Sequence, residues 1–145
     1  MDAGVAPSKN GLDGTVWNIL GQTYTPMMHS ENAMMWHAVL PPDTFVPPHI
    51  HSAQDEWIHV LTGNLEVDFG PDTHKAGPGD LIRMPTGIAH GVFNRSGAEA
   101  SAMFGVAPSR GLFELFGKIH NVPDPAEVVR LAAQHEIEFL PPPPG

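Results

Sequence analysis

Pro48-His49-Ile50-His51-Ser52-Ala53-Gln54-Asp55-Glu56 is the stretch on which the fold turns. In an extended strand, side chains two apart share a face. His49 and His51 therefore project together, with Cα atoms about 6.6 Å apart at ~3.3 Å per residue. That spacing lets two imidazoles converge on one ion at about 2.0–2.1 Å. Glu56 follows His51 at an odd step, which on an unbroken strand would turn it to the opposite face. The polar break from Ser52 to Asp55 lets the chain turn and return Glu56 to the same interior. Ile58 and Val60 then face inward beside it, with Trp57, His59 and Leu61 outward. A carboxylate added to imidazoles suits a divalent Fe, Ni, Mn, Co or Zn ion.

A second run supplies a third imidazole. Gly79-Asp80-Leu81-Ile82-Arg83-Met84-Pro85-Thr86-Gly87-Ile88-Ala89-His90 ends in a histidine that opens a strand, and Asn94 closes the stretch. The Pro85-Thr86-Gly87 turn sets the angle of that strand. His49, His51, His90 and Glu56 around a six-coordinate ion leave one or two positions open. An open position separates a catalytic site from a closed structural one.

Outward from these runs, residues 15 to 106 read as short apolar stretches broken by turn residues, the pattern of an all-β sandwich or barrel. Expected strands are Val16–Leu20, Ala33–Leu40, Thr44–His51, Glu56–Leu61, Asn64–Phe69, Asp80–Met84, His90–Asn94 and Ala100–Val106. Eight short strands favour a closed barrel or jelly roll, because closure removes or shortens exposed edges. After Pro108 the period changes. Gly111 to Gly117 suits a short helix burying Leu112, Leu115 and Phe116. Asp124-Pro125-Ala126-Glu127 reads as a helix start, with Asp124 as N-cap, Pro125 at N1 and Glu127 completing a capping box. Val128, Leu131 and Ala132 share one face of that helix. Pro141 to Pro144 is expected to lie extended as polyproline II. The chain divides into a loose arm (1–13), a barrel (14–108) and a C-terminal segment (109–145) whose two helical pieces pack outside the barrel.

Composition narrows the function classes. The 145 residues carry 7 basic and 16 acidic side chains, for a net charge of −9. The basic residues are scattered singly, without the stripe that phosphate contacts need, so a nucleic-acid partner is not expected. No stretch approaches the ~20 apolar residues of a membrane span, and the first residues carry no secretory pattern. Absence of cysteine removes disulfides, thiolate metal sites and cysteine nucleophiles, and fits a cytoplasmic location. Nine histidines stand beside a single tyrosine, and imidazole is the commonest metal-ligating side chain.

Together these runs resemble the cupin superfamily, whose motifs are G-x5-H-x-H-x(3,4)-E-x6-G and G-x5-P-x-G-x2-H-x3-N. The first matches at His49, His51, Glu56 and Gly63, and the second at Gly79, Pro85, Gly87, His90 and Asn94. One departure exists. Asp43 stands where the first motif opens with Gly, within a Pro-Pro-Asp-Thr turn; Asp tolerates left-handed geometry better than most residues, so a local turn change without effect on the metal is expected. The flanking apolar run and the Phe-rich helix with its Pro-Asp-Pro-Ala-Glu tail resemble small quercetinase-like bacterial cupins.

The resemblance implies a single-domain cupin β-barrel with short C-terminal helices and one divalent transition metal per chain. It also implies a small-molecule substrate and pairing into a homodimer, for which Trp17, Trp57 and the N-terminal arm offer apolar outer surface. In the family the Glu either binds the metal or serves as a base. Three functions follow: a dioxygenase in which Glu56 accepts the hydroxyl proton of an enol-type substrate, a non-redox isomerase, cyclase or decarboxylase using the ion as Lewis acid, or a small-ligand binding cupin without turnover. Met34, Trp36, Met84 and Met103 are the expected apolar pocket, although each also suits the core. An inward Arg83 in place of Met84 would instead favour an anionic substrate. His59 reads as outer surface, His37 as either cavity or surface, and His29, His74, His120 and His135 as loop or helix-surface residues.

Overall fold

The computed structural model describes residues 1–7 and 10–141. In chain order the strands among the described residues are β1 (Trp17–Ile19), β2 (Gln22–His29), β3 (Met34–Leu40), β4 (Phe45–His51), β5 (Asp55–Thr62), β6 (Leu65–Phe69), β7 (Asp72–Ala76), β8 (Leu81–Met84), β9 (His90–Phe93), β10 (Ala100–Ala107) and β11 (Ile137–Phe139). Helices α1 (Leu112–Ile119) and α2 (Pro125–Ala133) stand between β10 and β11. Pairing is antiparallel throughout, in two sheets of order β1-β2-β3-β10-β5-β8 and β11-β4-β9-β6-β7. The chain is an all-β jelly roll with short C-terminal helices.

Alternation builds the interior. β3 buries Met34, Trp36, Ala38 and Leu40, β5 buries Glu56, Ile58 and Val60, and β10 buries Ala100, Ala102, Phe104 and Val106. Each fully buried large apolar side chain contributes about 1.5–3 kcal/mol relative to exposure. On β8, Ile82 and Met84 face in and Arg83 faces out, which removes the sequence argument for an anionic substrate.

Three strands exceed the expected eight. Leu20 and Gly21 both take positive φ (49° and 86°), the geometry of a tight two-residue hairpin. They fold Gln22–His29 back on Trp17–Ile19. Pro26 interrupts that second strand as text, but the ladder with β3 absorbs it through a bulge between Pro26 and Met28. β7 buries only Ala76, so it carries no alternating signal and exists by pairing with β6. β11 pairs with β4 (Ile137 opposite His51, Phe139 opposite His49).

The C-terminal segment is thus not an appendage outside the barrel. Its last strand joins a barrel sheet, and its helices bury Leu112, Leu115, Phe116, Ile119, Val128 and Ala132. Trp17 does not offer outer surface either. It is buried edge-on against Phe113 and Phe116 of α1, with ring centroids 5.0 and 5.4 Å away. Asp124 caps α2 by accepting from the Ala126 backbone N–H at 3.0 Å, with Pro125 following it. Glu127 does not close a capping box; its carboxylate takes the Arg130 guanidinium on its own helix instead. The expected polyproline II conformation of Pro142 to Pro144 lies outside the described residues. Among those described, no helix is long and apolar enough to cross a membrane.

The loops that frame the site are pinned by Asn94 and two left-handed turns. Asp43 adopts φ 66°, as its place in the sequence implied, and its N–H donates to the Asn94 carbonyl at 2.9 Å. The fully buried Asn94 amide donates to the carbonyls of Leu40, Pro41 and Ala98 and accepts from Ser96. Gly63 takes φ 74° against the Glu99 carbonyl, where a Cβ would sit 2.6 Å from oxygen.

Candidate metal centre

β4 aims His49 and His51 inward, β5 aims Glu56 inward, and β9 opens with His90 directly opposite His49. The four residues are all buried, and one ligand atom from each lies within 4.8 Å of the others. The Nε2 atoms of His49 and His51 are 3.1 Å apart, and His51 Nε2 is 3.0 Å from Glu56 Oε2. His90 Nε2 lies 3.4 Å from Glu56 Oε1, without hydrogen-bond geometry. Adjacent ligands held at about 2.1 Å in an octahedral array stand about 3.0 Å apart, so the spacing suits one ion.

The opposite nitrogens are committed. His49 Nδ1–H donates to the Pro47 carbonyl at 2.7 Å, His90 Nδ1–H to the Ile88 carbonyl at 3.0 Å, and His51 Nδ1–H to Gln54 Oε1 at 2.8 Å. These bonds fix the tautomer that presents Nε2 to an ion. The orphaned His90 Nε2, on a residue 1% exposed and with no hydrogen-bond partner, is the clearest sign that the cluster awaits one.

Charge supports the same reading. Burial pushes the His49 imidazolium down to about 4, and His90 beside it adds to the shift. Burial also opposes charge on His51, but the Glu56 carboxylate and hydrogen bonds to Glu56 and Gln54 lift it above its ordinary value. Glu56 is held well below the usual carboxylate range: His51 and His90 outweigh its burial. A cation in the cluster would take over the pairing with Glu56 that His51 provides at 3.0 Å in the ion-free protein.

The cluster opens on a cavity of about 70 Å³, room for several waters or part of a small molecule. Trp36, Tyr24, Phe104 and Gln22 line its walls, and Phe116 and Phe139 roof it from the C-terminal segment. Of the four residues expected as pocket, Trp36 lines this cavity and the three methionines do not. Met34 and Met84 face inward but sit in the cross-strand row of Glu56 and Val106, where they are core. Met103 faces the other way, opposite His37 and His59 on the outer side of the sheet. His37 and His59 are accordingly outward as well. His29 lies in β2, stacked on Phe113 with ring centroids 4.5 Å apart.

Gln54, Gln22 and Tyr24 were not singled out in the sequence. Gln54 sits inside the polar break after His51, and its Nε2 donates to the carbonyls of Pro108 and Ser109. Gln22 and Tyr24 lie two apart on the strand that Pro26 concealed.

Residues 36–106 match the Cupin_2 family, described as a cupin domain. No curated protein matches the chain. Among solved structures, the TT1209 protein of Thermus thermophilus is 28% identical at a TM-score of 0.57, covering 60% of this chain and 83% of that one. KdgF from a Halomonas species is 20% identical at a TM-score of 0.63, covering 70% and 94%. The polyketide cyclase RemF of Streptomyces resistomycificus is 24% identical at a TM-score of 0.55, covering 61% and 66%. Residues 36–106 are similar to the cupin domain, and the chain has the cupin jelly-roll fold with a buried His49-His51-Glu56-His90 cluster suited to a metal ion.

Proposed function

We propose that the protein is a metal-dependent dioxygenase-type oxidoreductase acting on a small, hydrophobic, enol-type substrate. One observation carries the reading: a buried three-histidine, one-carboxylate cluster faces a largely apolar cavity. A divalent ion held by His49, His51, His90 and Glu56 would supply acidification of a bound enol and an electron path between substrate and O2. Overall the substrate is oxidised, and both oxygen atoms of O2, which is reduced, enter the product.

The chain's own residues supply the rest. The Nδ1–H bonds to Pro47, Gln54 and Ile88 hold the imidazoles in place before substrate arrives. Glu56 is ionised at neutral pH and is placed to receive the enol proton. Phe104, Phe116 and Phe139 exclude water around the reacting carbons, which strengthens every charge interaction there. We further propose that the protein works as a homodimer in the cytoplasm. The dimer surface would use half-buried Trp57 with exposed Leu61 and Leu81 on the outer side of β5 and β8.

The test is metal per chain in untagged protein, followed by O2 uptake with flavonols, 1,3-diketones and catechols. Near-stoichiometric Fe, Ni, Mn or Co with substrate-dependent O2 uptake is the expected result. Turnover without O2 uptake would replace this reading with a Lewis-acid isomerase, cyclase or decarboxylase. Failure to bind any metal would leave a ligand-binding barrel.

A further inference from the structure

Three buried side-chain polar atoms among the described residues have no hydrogen-bond partner: His90 Nε2, Gln22 Nε2 and Trp36 Nε1. The first belongs to the metal cluster. The other two lie on residues that line the same cavity and are not part of the ligating cluster. Gln22 and Trp36 are each 2% exposed, out of reach of bulk solvent, and a buried donor without a protein partner is normally rare.

The two donors are joined through Tyr24. Its hydroxyl donates to Gln22 Oε1 at 2.7 Å, which turns the amide nitrogen away from it, and its ring lies 6.0 Å from that of Trp36. Turning the Gln22 amide over would not cure the deficit, because Oε1 would then be the unpartnered atom. The neighbouring Trp36 indole can only donate, which makes an acceptor the group both residues can share. Along β3 and its neighbours, Trp36 lies in the cross-strand row of Phe104 and Ile58, one inward row beyond Glu56 and Val106. One such row is two residues, about 6.6 Å. Gln22 and Tyr24 lie further along the same wall on β2.

We propose that Gln22 and Trp36, with Tyr24 as the positioning residue, form a subsite for an uncharged oxygen acceptor on the part of the substrate remote from its metal-binding group. The substrate class is then an enolisable 1,3-dicarbonyl or enol carrying a third oxygen, a carbonyl or ether, beyond the chelating pair. A carboxylate is disfavoured, because no lysine or arginine lines the cavity and Glu56 already supplies a buried negative charge. The inference rests on the proposed chelating substrate but not on O2 chemistry.

The test uses zinc-loaded protein, so that redox turnover plays no part, and a matched pair of probes. Heptane-2,4,6-trione keeps a free carbonyl after its enol pair is bound. Heptane-2,4-dione has the same length and lacks it. Titration calorimetry gives both affinities, and ¹H–¹⁵N spectra follow the Trp36 indole N–H, assigned from Trp36→Phe. The expected result is a preference for the trione of about tenfold or more, since a site built around buried donors discriminates strongly against an analogue that leaves them unpaired. The Trp36 indole proton should also move downfield with the trione alone. Gln22→Leu and Trp36→Phe should each reduce the preference, and Tyr24→Phe should reduce it without removing it. Dione binding with no preference for the trione and no movement of the indole signal in the wild type overturns the subsite alone, whether or not the variants fold. If neither probe binds the zinc protein, the chelating-substrate reading fails and the subsite fails with it.

Discussion

Replacing Gln54 tests the metal centre without touching a ligand. Its amide divides two tasks: Oε1 accepts from His51 Nδ1–H at 2.8 Å, and Nε2 donates to the carbonyls of Ser109 and Pro108 at 2.7 and 3.0 Å. Gln54→Leu removes both. His51 then has no acceptor to fix its tautomer, a loss that typically weakens metal affinity 10- to 100-fold, or about 1.4–2.7 kcal/mol. The buried Ser109 carbonyl and the part-buried Pro108 carbonyl also lose a donor at the junction between the barrel and α1, the buried one at a cost of about 1–3 kcal/mol before relaxation. Gln54→Glu separates the tasks. It keeps an acceptor for His51 but puts a carboxylate against the two carbonyls, so stability should fall while zinc affinity stays near wild type. The assays are competition of zinc against a chromophoric chelator, and urea denaturation of the EDTA-treated proteins. Zinc affinity of Gln54→Leu within twofold of wild type would refute the argument that this hydrogen bond prepares His51. So would equal losses of affinity in both variants.

Replacing His49 and His51 together by Ala should bring bound metal close to zero while preserving a β-rich circular dichroism spectrum; unchanged metal content would refute the ligand assignment. His49 also makes a signed prediction for the metal-free protein. Its folded value of about 4 lies below the ordinary 6.5, so between those pH values the unfolded chain binds more protons and stability from this group rises with pH. Wild type should therefore gain stability over His49→Gln as pH climbs from 4 to 6.5, by at most about 3 kcal/mol. Denaturation in EDTA across that window checks it, and a flat difference would count against a neutral buried His49. Gly105→Ala would place a Cβ 2.2 Å from the Trp57 ring, and the displaced indole should lower stability by about 1–3 kcal/mol in urea titrations.

The ligand set was legible because its chemistry lies within short local spacings. The step from His49 to His51 fixes a shared face, and Pro85 and Gly87 fix how His90 arrives. Asp43 shows the same economy: a residue that tolerates positive φ was read where the fold needs one, and it adopts φ 66°. What escaped depends on partners distant in sequence. β7 has no apolar face of its own, β11 exists because β4 has a free edge, and Trp17 looked superficial until α1 covered it. The methionines misled for a related reason. Inward parity places Met34 and Met84 in the interior, but only the packing of six strands decides which interior residues meet the void and which fill the layer beside it.

That packing leaves an imbalance with a direction. A jelly roll of this size has enough apolar surface to close its interior completely, and most of this one is closed by Leu40, Ile58, Val60, Leu65 and their neighbours. The unpaired polar atoms are instead gathered at one place, His90 at the metal end and Gln22 and Trp36 along the wall beyond it. Apolar residues at positions 22 and 24 together would remove the unpaired amide N–H without orphaning the Tyr24 hydroxyl that now donates to the amide oxygen, relieving about 1–3 kcal/mol for an unsatisfied buried group. The same atoms become assets when an ion takes the Nε2 electrons and a ligand oxygen meets the two N–H groups. One cavity, with Phe116 and Phe139 on its C-terminal side, runs between both ends, so a single molecule long enough to bridge them would resolve the whole imbalance. Binding at the two ends should therefore be cooperative: an ion at the cluster favours the ligand, and by reciprocity the ligand tightens the ion.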